Sequence, residues 1–169
     1  ADFGLIIHNP DGSQAEKSGN GLRIFARWLS DHRDAGVQFT VEVPAGVVSC
    51  TVGADLITVG MGVATFVPEA VPLALDCEAI DYPHPTLPLS FTAVGIGNPH
   101  CVVFCDEPLD MIPWRKWGAH LECDPLFPRR TNVQFVNVVS ESELEIRIWE
   151  RGAGETLASG SSSCAVVAA

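Results

Sequence analysis

Two short segments repeat one arrangement of residues. Glu16-Lys17-Ser18-Gly19-Asn20-Gly21 runs straight into the apolar Leu22-Arg23-Ile24-Phe25-Ala26-Arg27-Trp28-Leu29. Leu157-Ala158-Ser159-Gly160-Ser161-Ser162 runs into Ser163-Cys164-Ala165-Val166-Val167-Ala168-Ala169. Each sets Ser-Gly and small polar residues where a helix should begin. A helix start offers backbone N–H groups without intrahelical acceptors, together with a partial positive charge. That is a seat for a carboxylate, or for a carbanion developing beside one. Two such seats in one chain imply a single anionic ligand held between two similar halves.

A third segment is Trp149-Glu150-Arg151-Gly152-Ala153-Gly154-Glu155-Thr156. Arg151 can hold a carboxylate through two parallel N–H bonds, and Glu150 can hold an ammonium. The Gly-Ala-Gly turn lets backbone approach a ligand closely. Taken alone, the segment reads as an exposed ion pair beside a tight turn. Gly97-Asn98-Pro99-His100 is a turn between apolar strands. Asn98 offers a donor and an acceptor there, and His100 can orient a neighbour. Asn9 and Asn132 also stand at strand edges. One such Asn is a turn residue; three of them, with the Glu-Arg pair and two helix starts, suit a zwitterionic amino acid. No metal is expected. His120 with Cys123, and Cys101 with Cys105, lack the spacing of a closed zinc site and read as core.

The elements that must position these residues belong to a chain of 169 residues, one ordinary domain or two small half-domains. Apolar residues make up 47%, enough for a core, and charged residues 18%. A net charge of −11 argues against nucleic acid and against an anionic membrane surface as partners. The apolar stretches are strand-sized, and no signal peptide is visible. The six cysteines show no CxxC pair or compact disulfide spacing. They read as reduced, mostly buried thiols of a cytoplasmic protein, with Cys164 packed rather than reactive. The chain opens at Ala1 just before strand-like residues and closes at Ala169 within an apolar helical run. It is therefore expected to be an internal piece of something longer, or a trimmed chain.

Periodicity predicts a strand over 2–8, a turn at Asn9-Pro10-Asp11-Gly12, and a helix over 19–35 capped by Gly36. Leu22, Ile24, Phe25, Trp28 and Leu29 are expected on one side of that helix. Strands follow over 37–43, 47–52 and 55–61. The Pro-rich, acidic stretch near 68–88 reads as the connection. Strands then return over 89–96 and 101–105, a helix over 113–122, strands over 132–139 and 144–149, and the closing helix. The class is α+β with mainly antiparallel pairing. The division is 1–70 as part of an N-terminal half, 71–88 as linker, and 89–169 as part of a C-terminal half.

Asn9-x-Asp11-Gly12-Ser13-x-Ala15-Glu16, Gly19-Asn20-Gly21, Gly97-Asn98-Pro99-His100-Cys101-Val102-Val103 and Glu150-Arg151-Gly152-Ala153-Gly154-Glu155-Thr156-Leu157-Ala158 together closely resemble diaminopimelate epimerase. The match runs over essentially all 169 residues. The resemblance implies two pseudo-symmetric halves, each a curled, mainly antiparallel sheet around a central helix, with a ligand cleft between them and no cofactor. Family members are larger; the segment bearing the family's Gly-Asn-Asp-Phe motif and the closing C-terminal strands are expected to be missing here. Carried over by position, Asn9, Asn98, Asn132, Glu150 and Arg151 would bind the substrate's distal amino-acid group. Backbone N–H groups at Gly19-Asn20 and Gly160-Ser161 would hold the reacting carboxylate, with His100 in support. The implied reaction is inversion at an α-carbon by two bases on opposite faces, in lysine and cell-wall precursor biosynthesis. The expected partner is a small amino acid, and a homodimer is compatible.

The departure falls on the bases. The family has Cys at both positions; this chain has Ser18 and Ser159. A free thiol ionises near pH 8.5, lower still at a helix N-terminus, whereas a serine alkoxide is scarce at neutral pH. No His or Lys is placed by sequence to activate either Ser, and Lys17, next to Ser18, is expected to point away. Three accounts stay open: replacement of both bases by engineering, a natural relative that binds an amino acid without epimerising it, or a different proton shift using another base.

Overall fold

The computed structural model describes residues 1–9 and 12–169. The expected turn at 9–12 includes Pro10 and Asp11, which lie outside the described residues. The first half contains β1 (Phe3–Gly4), β2 (Ile7–His8), β3 (Gln14–Ala15), α1 (Gly19–His32), β4 (Gln38–Val43), β5 (Gly46–Val52) and β6 (Ile57–Val59). The second contains β7 (Tyr82–Pro83), β8 (Ser90–Gly95), β9 (Pro99–Phe104), α2 (Trp114–Glu122), β10 (Asn132–Ser140), β11 (Glu143–Glu150), β12 (Gly154–Thr156) and α3 (Gly160–Ala168). One sheet runs β1-β4-β5-β6 and the other β12-β11-β10-β9-β8-β7. Pairing is antiparallel except for β1 with β4 and β9 with β10. The α+β class is as expected.

In the first sheet one face is covered. Phe39, Val41 and Val43 of β4 and Val48, Cys50 and Val52 of β5 point at α1 and are buried, while their neighbours face out. This is the alternation that a half-buried antiparallel sheet requires. α1 answers with Leu22, Ala26 and Leu29, all buried and spaced to share one stripe. Ile24 is 73% exposed and Trp28 41%, so the expected stripe is corrected at both. At about 100° per residue, position 24 falls well away from 22, 26 and 29. α1 also stops at His32, earlier than expected, because Asp34 already turns left-handed at φ 49, before Gly36. The strand expected over 2–8 is split: β1 joins the sheet through β4, and β2 pairs with β3 instead.

The second sheet is covered on both faces, so its strands read as nearly continuous apolar runs. Phe91, Ala93, Cys101, Val103, Val133 and Phe135 face α2. Val94, Ile96, Val102 and Val136 face Ala165 and Val166 of α3. The parity carries the chemistry. His100 and Asn132 stand opposite each other across the β9–β10 pairing, on the α3 face. Trp149 packs toward α2, so Glu150 next to it turns the other way.

The stretch read as a linker is packed. Val71 and Ala79 are fully buried in the α2-side core, and Tyr82–Pro83 forms its edge strand. Cys50 and Cys101 are buried, Cys105 and Cys164 partly so, and Cys77 and Cys123 are exposed. Among the described residues no helix is long and apolar enough to cross a membrane.

The contact between α2 and β11 has no slack. A Cβ on Gly118 would lie 2.9 Å from the Cβ of Trp149. Gly118→Ala should therefore cost about 1–3 kcal/mol despite better helix propensity, read as a lower urea midpoint.

Candidate active site

α1 and α3 begin against each other. A Cβ on Gly19 would lie 3.4 Å from the Gly160 Cα, and one on Gly160 3.5 Å from the Gly19 Cα. The two helix starts thus pass within van der Waals reach of each other at these glycines. The Asn20 amide adds a tie across the junction, donating to the Ala158 carbonyl at 3.1 Å. A cavity of about 270 Å³ opens at this meeting. Asn9, Ser18, Gly19, Asn20, Asn98, Asn132, Glu150, Arg151, Ser159, Gly160 and Ser161 all line it. Every residue expected to bind or react, His100 in its supporting role apart, thus lines one cavity.

The two serines differ. Ser18 is the N-cap of α1, and its Oγ accepts from the Gly21 N–H at 3.1 Å. Ser159 stands at the same point of α3 without such a bond, its Oγ 3.5 Å from that of Ser161. Helix geometry leaves the N–H groups of Gly19, Asn20, Gly160 and Ser161 without intrahelical acceptors.

The polar wall comes from the second sheet. The Asn98 Oδ1 accepts from the His100 Nε2–H at 3.0 Å. His100 itself is fully buried and touches Asn98 rather than the cavity, which fits a supporting place. Asn132 donates to the Pro99 carbonyl at 2.9 Å and accepts from the Arg151 N–H at 3.0 Å. It therefore fixes the approach of the Arg151 turn. That turn passes through positive φ at Gly152 (76°) and Gly154 (74°), which side chains other than glycine resist. Glu150 makes no ion pair or side-chain hydrogen bond among the described residues, so its carboxylate is free for a cation. Asn9 donates to Ser13 Oγ at 3.0 Å.

Three residues of the site were not singled out as such by sequence. Glu16 pairs with Arg151 across the two halves. Glu122 of α2 is buried and accepts from the Trp149 indole at 2.7 Å and the Gly152 N–H at 2.8 Å, besides pairing with Arg130. It holds the Glu150–Arg151 turn from behind. Lys17 is buried beside the same cavity, and its ammonium donates to the Met61 carbonyl at 2.6 Å. Burial pushes its pKa down. Its position beside the Gly19 motif is the only sequence signal that could have flagged it. Glu16 and Glu122 carry none, because their partners lie far along the chain.

His84, His120 and Asp124 gather into a set with the residue types of a metal site. The His84 Nδ1 accepts from the N–H groups of Thr86 and Leu87 at 3.2 and 3.1 Å. In neutral His84 the proton is then on Nε2, 3.2 Å from Asp124, to which it donates. A ligating imidazole needs the opposite polarity. The set is a clip holding the 84–87 loop to the end of α2.

Such a cavity between two abutting helix starts belongs to an α+β protein of two halves. The family model for diaminopimelate epimerase matches residues 1–67 and 92–169. The chain belongs to the diaminopimelate epimerase family. It is 42% identical over its whole length to the diaminopimelate epimerase of Carboxydothermus hydrogenoformans, and 44% identical over 99% of its length to diaminopimelate epimerase 2 of a Nostoc species. It covers 63% and 61% of those proteins, so it spans about three-fifths of their length. A crystal structure of the Bacillus anthracis phenazine biosynthesis protein of the PhzF family has the same fold, with a TM-score of 0.58 at 14% identity, covering 98% of this chain and 60% of that one.

Burial of His100 pushes its pKa down from 6.5 to about 3, the charges of Arg151 and Lys17 acting in the same direction and the Gln134 side chain opposing them. The unfolded chain then takes up this proton first as pH falls. Stability should drop by about 1.4 kcal/mol per pH unit below pH ~6.5 from this group, flattening only near its folded value. Urea midpoints between pH 7 and 4 check this; His100→Gln should lessen the acid slope by one proton.

Proposed function

We propose that the chain carries the amino-acid cleft of a cytoplasmic diaminopimelate epimerase-like isomerase in lysine and cell-wall precursor biosynthesis, working without a cofactor. The observation that carries this is the single cavity lined by both helix starts, with Ser18 and Ser159 at their caps. In this reading the N–H groups of Gly19, Asn20, Gly160 and Ser161 hold the reacting carboxylate and stabilise charge that develops beside it. The two hydroxyls flank the α-carbon. Glu150 receives the distal ammonium, and Arg151 and Asn98 the distal carboxylate. Asn132 and His100 position them, and Asn9 closes the polar end. A homodimer is compatible with this arrangement.

Inversion needs one group to take the α-proton and another, on the opposite face, to return one. A thiol pair at helix starts does so near neutral pH. A hydroxyl does so only with a base beside it. Ser18 Oγ is occupied by the Gly21 N–H, and the neighbour of Ser159 Oγ is another hydroxyl. Lys17, the nearest amine in sequence, is tied to Met61. This favours binding without fast turnover, and so supports a second reading: an amino-acid-binding protein on the same fold.

Incubating diaminopimelate with the chain in deuterated water should give little α-hydrogen exchange. The double change Ser18→Cys with Ser159→Cys should raise exchange by about 10²-fold or more. Fast exchange in the unaltered chain would overturn the loss of competence. Binding without rescue would favour the binding protein, and no binding would sink the cleft assignment.

A further inference from the structure

A second, smaller pocket of about 200 Å³ adjoins the cleft, sharing Asn9, Glu16 and Arg151 with it. Its other walls include Arg129 and Arg130. The chain has only ten Lys and Arg in all against twenty-one Asp and Glu. Three guanidiniums around one small pocket are therefore a local concentration that composition does not explain.

The three are not equivalent. Arg130 is paired with Glu122, and Arg151 with Glu16. Each leaves N–H groups of its fork unused, since a guanidinium has five. Among the described residues Arg129 has no side-chain partner at all, although its own carbonyl accepts from Arg151 at 3.2 Å. Like charges lining one pocket repel, and an unpaired one gains nothing from the fold. An oxyanion placed among them would offset that repulsion and accept several N–H bonds at once.

We infer that the Arg129–Arg130–Arg151 pocket is a subsite for a compact oxyanion, a carboxylate or a phosphate. The anion is either free or an acidic group of the molecule in the cleft. Glu16 stands where the two spaces join and competes for Arg151, so it sets how strongly the anion is held. The subsite itself does not rest on the epimerase reading; only a carboxylate contributed by the cleft ligand does.

The test is calorimetric titration of the whole chain with inorganic phosphate and, separately, with diaminopimelate. Arg129→Gln removes the unpaired guanidinium at an exposed position, and Glu16→Gln removes the competing charge. Lys116→Gln, an exposed cation on α2, is the control for general charge. Saturable phosphate binding, weakened about tenfold by Arg129→Gln, strengthened by Glu16→Gln and unmoved by Lys116→Gln, establishes a free-anion subsite. The same pattern with diaminopimelate alone identifies the anion as part of the cleft ligand. Diaminopimelate binding that ignores Arg129, with no saturable phosphate binding, overturns the subsite while leaving the cleft intact. Equal weakening by Arg129→Gln and Lys116→Gln overturns it as charge alone. No binding of either probe overturns both.

Discussion

The contact between Gly19 and Gly160 is the constraint on which the rest is built. Two helix starts repel each other through their like partial charges. They are nonetheless brought close here, the Gly19 and Gly160 backbones lying within van der Waals reach of each other's Cβ positions. The arrangement leaves several N–H groups converging on one small space. Water or a ligand in that space can accept from them. The Asn20 amide ties the junction by donating to the Ala158 carbonyl, 138 residues away in sequence.

The second sheet turns this seat into a polar cleft. Its two covered faces divide the labour by strand parity. Odd positions of β9, β10 and β11 build the core with α2, and even positions bring His100, Asn132 and Glu150 to the α3 side. The Glu150–Arg151 turn is then held from two directions. Asn132 grips it from the strand start and Glu122 from α2. An ion pair between Glu16 and Arg151 closes the ring by joining the halves. A partly buried pair of this kind gives little net stability but does define one geometry.

Scaffold and reagent are separable in this chain. The backbone features that would hold an amino acid depend on glycines, strand register and caps, none of which requires sulfur. Replacing thiol by hydroxyl leaves a good helix N-cap, as the Ser18 bond to Gly21 shows. It removes a group that ionises in the physiological range. The seat can therefore persist in full while proton transfer fails, and binding and turnover in this chain are distinct questions.

Most of the architecture was legible in the residues. Strand alternation in β4 and β5, continuous apolar runs in β8 to β10, and two Ser-Gly helix starts depend on near neighbours, so local pattern suffices to find them. The errors were also local. Ile24 was assigned by its type instead of its angle around the helix, and the Pro-rich stretch read as the connection also gives Val71 and Ala79 to the core. By itself the sequence grouped the residues that the fold brings to one cavity, with serine at both helix caps. Only the tertiary structure decided who is already engaged: Arg151 with Glu16, Asn132 with Pro99 and Arg151, Lys17 with Met61, and Arg129 with none of the described side chains. Charges and amides choose partners by distance in space, and the 135 residues between Glu16 and Arg151 carry no trace of that choice.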